Sequence, residues 1–129
     1  MTEHPNAAAA RRSYEAWNSG DLDVIREYFT DDAVLHLAGD NAMSGTYRGR
    51  DGVMDAIARA SQGWGMHSEL EALLASDDHV IAFVRVTSER DGKTLDVVVA
   101  QAVKVNAEGK ATEAWFLPND QRGSDRFFL

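Results

Sequence analysis

The fold is decided by residues 80–105, which read VIAFVRVTSERDGKTLDVVVAQAVKV. Two runs rich in β-branched residues, 80–88 and 95–105, flank Asp91-Gly92, and an Asp-Gly pair in that position is a strong hairpin signal. Both runs carry apolar residues at odd and even positions, which is typical of strands covered on both faces. The stretch therefore predicts two long antiparallel strands.

The predicted sheet extends in both directions from this hairpin. A strand over 68–74 precedes the turn at 77–78, and a strand over 111–117 follows the turn at 108–109. Proline cannot donate to a strand ladder, so Pro118 ends the last strand and the remaining residues read as a polar tail.

Three helices are predicted before this sheet. The elements are a helix over 7–18, a helix over 22–29, a strand over 33–38, a glycine-rich loop over 39–49 and a third helix after Asp51. Asn6 and Asp21 are expected to cap the first two helices, and Gly20 to end the first. No helix remains to connect the later strands, which indicates an α+β fold. We expect one domain, residues 1–129, with three helices on a curved, mainly antiparallel sheet that encloses one pocket.

Composition limits the possible partners. The formal net charge is −8, so we expect no nucleic-acid partner. The chain has no cysteine, which removes disulfides and thiolate sites. It shows no signal-peptide pattern and no apolar run long enough to span a membrane, so we expect a cytoplasmic protein without a membrane partner.

Several local motifs recur in one order along the chain. They are AWNSGD at 16–21, FTDDAV at 29–34, SGTYRGRD at 44–51, NAEGK at 106–110, and Trp115 followed by Asp120-Gln121. With this element order the chain resembles the SnoaL-like, ketosteroid-isomerase-related branch of the nuclear-transport-factor-2-like superfamily. The resemblance implies a cone with a deep pocket and a homodimer formed through the outer sheet face. Its members include isomerases, polyketide cyclases and epoxide hydrolases, so the fold alone does not select a reaction.

The catalytic sets of that branch are not present. In register with the ketosteroid isomerases, the tyrosine position falls on Ser13, the base on Leu37 and the acid on Gln101. The epoxide hydrolase set keeps only Arg85, since Thr87 occupies its paired aspartate position. Neither familiar reaction is expected.

A looser set of candidate catalytic residues remains. His36 or Asp40 is the candidate proton carrier, and Gln101 the candidate donor that orients a ligand oxygen. A structural role for each residue is the alternative. Side chains alternate along a strand, so His36 and Leu37 cannot both face the pocket without a bulge.

The expected pocket wall combines aromatic and apolar side chains. Its candidates are Ser13, Tyr14, Trp17, Leu37, Trp64, Met66 and Trp115. The four histidines show no metal-ligand spacing, and no phosphate-binding glycine loop occurs, so we expect neither metal nor cofactor. Two functions stay open. One is an acid–base isomerase or cyclase of a small apolar carbonyl compound, and the other is a non-catalytic protein that binds a small apolar organic molecule.

Overall fold

The computed structural model describes residues 3–63 and 65–129. Its elements are helices α1 (Pro5–Ser19) and α2 (Leu22–Tyr28), strands β1 (Phe29–Leu37) and β2 (Gly45–Arg48), helix α3 (Gly49–Gly63), strands β3 (His67–Ala75), β4 (His79–Arg90), β5 (Lys93–Val105) and β6 (Ala111–Pro118), and helix α4 (Gln121–Phe127). The predicted α+β class is confirmed. No helix among the described residues is long and apolar enough to cross a membrane.

The β4–β5 hairpin forms where the sequence predicts it. Pairing runs from His79 with Lys104 to Arg90 with Lys93. The two turn residues, Asp91 and Gly92, have φ angles of 54° and 76°. Positive φ at both central positions is the backbone of a tight hairpin turn whose twist matches the strands, which is why the Asp-Gly pair is informative.

The six strands lie in the order β2-β1-β6-β5-β4-β3, and the sheet is not closed into a barrel. All neighbouring strands are antiparallel except β1 and β6, which pair in parallel with Leu35 opposite Ala114. The expectation of a mainly antiparallel sheet is therefore confirmed. The one parallel pair brings together two strands that are far apart in the chain, with α3 and the strands β2 to β5 between them in sequence.

The helix boundaries follow their caps, with one correction. Gly20 has φ 77° and ends α1, and the Asp21 side chain accepts from the backbone N–H of Val24, as predicted. The cap of α1 is His4 rather than Asn6, because α1 begins at Pro5. Asn6 lies inside the helix and its amide nitrogen donates to the carbonyls of residues 76 and 77.

Three segments differ from the sequence prediction. Strand β1 begins at Phe29 rather than at residue 33, so the aspartates at 31 and 32 lie in the strand. The loop predicted over 39–49 contains the short strand β2, which pairs with β1. The polar tail forms α4, where the Asp120 side chain accepts from the backbone N–H of Gly123. Strand β2 depends on its pairing with β1, and α4 contacts β5 through the bond of Lys93 Nζ to the Arg126 carbonyl.

The inner face of the sheet carries the core, and the outer face is open. From Val80 to Ser88 of β4 the even-numbered side chains are buried and most odd-numbered ones are exposed. The helices supply Ala10, Ile25 and Val53 to the core cluster on the inner side. The outer face leaves large apolar side chains exposed, namely Leu74, Ile81, Phe83 and Leu117.

Candidate functional site

A cavity of about 210 Å³ lies between the inner sheet face and the helices. Strand β5 contributes alternate side chains along its length, and helix α1 faces it across the cavity. The residues of these two elements that line it are Leu95, Val97, Val99, Gln101, Val103, Ala10, Ser13, Tyr14 and Trp17. Period-two alternation in the strand and the 3.6-residue period of the helix bring these residues to one space.

One polar pair lies within this apolar wall. The hydroxyl of Tyr14 in α1 donates a hydrogen bond to Oε1 of Gln101 in β5. An amide carries two N–H donors besides its carbonyl oxygen. The Gln101 amide nitrogen has no hydrogen-bond partner among the described residues, and Gln101 lines the cavity. The pair therefore offers N–H donors to an acceptor inside the cavity.

Tyr28 is the second tyrosine of the cavity wall. Its hydroxyl is buried and has no hydrogen-bond partner within the described residues. Burial raises the pKa of Tyr28 to about 12. Burial, and secondarily the nearby Tyr28, raises the pKa of Tyr14 well above its ordinary value. Both phenols are therefore neutral at physiological pH and act as hydrogen-bonding groups rather than bases.

The described cavity lining contains no aspartate, glutamate, histidine, lysine or arginine. General acid–base catalysis needs a group that titrates near the working pH within hydrogen-bond reach of the substrate. Neutral tyrosines with raised pKa values and amides do not meet that requirement. The lining also offers no charge to balance an ionic ligand, which would lose its hydration on entry.

Helix α4 closes one end of the cavity together with the segment before β2. Gln121, Ser124 and Phe128 line the cavity from the C-terminal side, and Asn41 and Met43 from the other. The two sides are joined by the carboxylate Oδ1 of Asp125, which accepts from Asn41 Nδ2 at 2.7 Å, Gln121 Nε2 at 2.9 Å and the Asp40 backbone N–H at 3.1 Å. The hydrogen bond from Asn41 is the largest of the effects that lower the pKa of Asp125.

The structure separates His36 from the cavity. Leu35 and Leu37 line it, so the intervening His36 points to the outer face, as alternation requires. There its Nε2 lies 2.6 Å from a Glu113 carboxylate oxygen, and its ring stacks on Trp115 at a centroid distance of 5.5 Å. Trp115 is likewise not a lining residue, which corrects its assignment to the pocket wall.

Asp40 is the other candidate that lies apart from the cavity. Its side chain is exposed, and its backbone N–H donates to Asp125. The three candidates therefore do not converge. His36 lies on the outer face of β1 and Asp40 in the exposed loop after it, whereas Gln101 lines the cavity. Neither His36 nor Asp40 is therefore positioned to carry a proton to or from a ligand in the cavity.

The remaining candidates divide as follows. Ser13, Tyr14, Trp17, Leu37 and Met66 line the cavity, and Trp64 lies outside the described residues. Sequence reasoning missed Tyr28, Gln121 and Ser124 as lining residues. For Ser124 a signal existed, since it and the phenylalanines at 127 and 128 follow the Asp120 cap at helical spacing. No group of acidic and histidine side chains among the described residues is arranged to hold a metal ion.

Known proteins share this architecture. The sequence profile of the SnoaL-like domain matches residues 10–114. The chain belongs to the SnoaL-like domain family. Uncharacterized protein Rv0034 of Mycobacterium tuberculosis and uncharacterized protein Mb0035 of Mycobacterium bovis are each 30% identical to this SnoaL-like chain, with 99% of both chains covered.

Solved structures agree with the family assignment. Bal32a, from a soil-derived mobile gene cassette, is 31% identical with a TM-score of 0.91, and the match covers 96% of each chain. IdmH, a putative polyketide cyclase from Streptomyces antibioticus, is 25% identical with a TM-score of 0.74, over 90% of this chain and 93% of IdmH. A nuclear-transport-factor-2-like protein from Burkholderia xenovorans shares the fold at 17% identity, with a TM-score of 0.84 and coverage of 100% and 99%.

Proposed function

We propose that this SnoaL-like protein binds a small, neutral, largely apolar carbonyl compound in its cavity without acid–base chemistry. The observation that carries the proposal is the Tyr14–Gln101 pair in a mostly apolar wall. The pair leaves the Gln101 amide N–H groups free to donate, and a carbonyl oxygen is the acceptor that suits them. Apolar surface supplies most of the affinity, and the amide fixes the orientation.

The chemistry of the lining argues for a neutral ligand. A carboxylate would lose its hydration in the cavity, and the described lining holds no lysine, arginine or histidine to replace it. A hydrocarbon would fit the apolar wall but leave the Gln101 amide nitrogen without a partner. An unpaired buried donor costs about 1–3 kcal/mol, which disfavours the hydrocarbon relative to a carbonyl compound of equal size.

A cyclase is the second candidate function. Its support is the similarity to IdmH, which is a putative polyketide cyclase. In such a reaction the cavity would hold a flexible substrate in a folded conformation, a contribution that requires no titrating side chain. Turnover of a linear polyketide-like substrate that persists in His36→Ala and Asp40→Asn variants would favour this candidate over simple binding.

Two ligands of equal size test the binding proposal. Benzylacetone and butylbenzene differ only in a carbonyl that replaces a methylene group, and calorimetry measures both. Gln101→Leu should weaken benzylacetone about three- to tenfold, the worth of one hydrogen bond, and leave butylbenzene unchanged. The hydrocarbon is the matched control for changes in cavity shape. Equal effects on both ligands would contradict the proposal.

We further propose that the protein forms a homodimer through its outer sheet face. Paired residues place Leu74, Ile81, Ala102 and Trp115 in one row across four strands. Phe83 and Leu117 lie in the neighbouring row and are exposed in the isolated chain. A contiguous apolar area of this kind is typical of a protein–protein contact.

A further inference from the structure

A second set of polar side chains lines the cavity at its α4 end. Asn41, Gln121 and Ser124 lie there, beside the apolar Phe128. They come from the loop before β2 and from α4, and are separate from the Tyr14–Gln101 pair. Their free hydrogen-bonding atoms determine what this end of the cavity can bind.

The amide of Gln121 has one group left for a ligand. Its Nε2 donates to the Asp125 carboxylate at 2.9 Å and to the Ala38 carbonyl at 3.4 Å. Both partners are acceptors only, so the nitrogen must face them and both of its N–H groups are used. The oxygen Oε1 is left, and it can accept a hydrogen bond from a ligand.

Ser124 supplies the complementary group. The residue is 4% exposed and lines the cavity, and its hydroxyl has no hydrogen-bond partner among the residues that the structure describes. Among the described residues only the Tyr28 hydroxyl is both fully enclosed and unpaired, so the Ser124 hydroxyl opens onto the cavity, where a ligand hydroxyl can replace water as its partner. A serine hydroxyl both donates and accepts. Together, Ser124 and Gln121 match a ligand hydroxyl, which accepts from the first and donates to the second.

The two polar sets lie on different strands of the cavity wall. Gln121 Nε2 donates to the carbonyl of Ala38, which follows β1, and the Ala38 N–H donates to the Phe116 carbonyl in β6. Phe116 pairs with Gln101 of β5, so two strand spacings separate Gln101 from the segment that Gln121 contacts. At about 4.8 Å per strand, the separation between the two sets is on the order of 10 Å.

We propose that Gln121 and Ser124 form a second polar subsite that binds a ligand hydroxyl, so that the ligand is an elongated hydroxyketone. The inference rests on the proposed function, because the carbonyl end is assigned to Gln101. The carbonyl end faces the Gln101 amide donors, while the α4 end presents an acceptor together with a hydroxyl that both donates and accepts. The cavity therefore distinguishes the two ends of such a molecule.

Four probes of similar size test the subsite. They are butylbenzene, benzylacetone, para-hydroxybenzylacetone and phenylpropionate, measured by calorimetry on the full chain. The hydroxylated ketone should bind about three- to tenfold more tightly than benzylacetone, and phenylpropionate should not bind measurably. Ser124→Ala should abolish the preference for the hydroxyl, measured as the ratio of the affinities for the two ketones in the same protein. Ser61→Ala is the matched control, since Ser61 bonds to the Ala58 carbonyl outside the cavity.

Melting curves show which variants are folded. Ser124→Ala should keep its melting temperature, because the hydroxyl that it removes has no partner. Gln121→Met is the second variant, and it should also lose the preference. Equal affinity of the two ketones in the wild type, or a preference that survives Ser124→Ala, would overturn the subsite. The proposed function fails separately, if Gln101→Leu leaves the ratio of benzylacetone to butylbenzene affinity unchanged. Absence of binding by every probe would overturn both.

Discussion

The substitutions Tyr14→Phe and Tyr28→Phe each remove one phenolic hydroxyl from the same cavity wall. The Tyr14 hydroxyl is bonded to Gln101, whereas the Tyr28 hydroxyl has no partner among the described residues. Tyr14→Phe leaves the Gln101 oxygen unpaired, so we expect a loss of about 1–3 kcal/mol in the free energy of unfolding. Tyr28→Phe removes an unsatisfied group, so we expect stability to stay unchanged or to rise by up to about 2 kcal/mol.

Urea denaturation followed by circular dichroism measures both values under the same conditions. In thermal melts, 1 kcal/mol corresponds to about 3–5 °C for a domain of this size, so the two variants should differ clearly. Each variant is the control for the other, because the ring is retained in both. Equal losses in the two proteins, or a larger loss for Tyr28→Phe, would refute the reasoning from hydrogen-bond partners.

Alkaline pH gives an independent test of the same tyrosine. The pKa of Tyr28 is raised from 10.0 to about 12 by burial, so the folded state keeps a proton that the unfolded state loses. Its contribution to stability is fully present below pH 10 and is lost as the pH rises towards 12. Tyr28→Phe should therefore show a shallower decline of stability in that range than the wild type.

Three further predictions concern other parts of the molecule. Trp17→Ala should weaken butylbenzene binding by about 1–3 kcal/mol in calorimetry, whereas Trp115→Ala, on the outer face, should leave it unchanged. Equal effects of the two substitutions would contradict the assignment of Trp17 to the cavity wall. The lowered pKa of Asp125 implies a contribution to stability that is present at neutral pH and is lost as the pH falls below the ordinary value of 3.8. Melting temperatures of Asp125→Asn should therefore depend less on acid pH than those of the wild type, and identical pH profiles would contradict this role. Light scattering should give a dimer for the wild type and a monomer for Phe83→Glu, which places a charge in the apolar outer face; a wild-type monomer at micromolar concentration would reject the dimer.

The sequence predicts those parts of the fold that depend on nearby residues. The β4–β5 hairpin follows from Asp91-Gly92 and its flanking strands, and the break between α1 and α2 follows from Gly20 and Asp21. Strand β2 and helix α4 were missed because their local sequences are polar or rich in glycine. Strand β2 forms by pairing with β1, and α4 contacts β5, for example where Lys93 Nζ donates to the Arg126 carbonyl.

The residues of the candidate site also differ in whether nearby sequence predicts their positions. Strand and helix periods place Tyr14, Trp17 and Gln101 on inward faces, and the structure brings these residues to one cavity. Ser124 was missed together with helix α4, although the spacing of Ser124, Phe127 and Phe128 after the Asp120 cap fits a helix. A sequence also does not state which hydroxyl finds a partner, because that depends on neighbours contributed by distant elements.

The unpaired groups, more than the paired ones, limit the ligand of this cavity. A polar atom that faces a cavity bonds to water or to a ligand, because leaving it without either costs about 1–3 kcal/mol. The Gln101 amide nitrogen, the Gln121 oxygen and the Ser124 hydroxyl line the cavity without further partners among the described residues. The Gln101 end thus offers amide donors, and the α4 end offers an acceptor together with a hydroxyl that both donates and accepts. A neutral molecule with a carbonyl at one end and a hydroxyl at the other satisfies all three groups at once, whereas a hydrocarbon satisfies none.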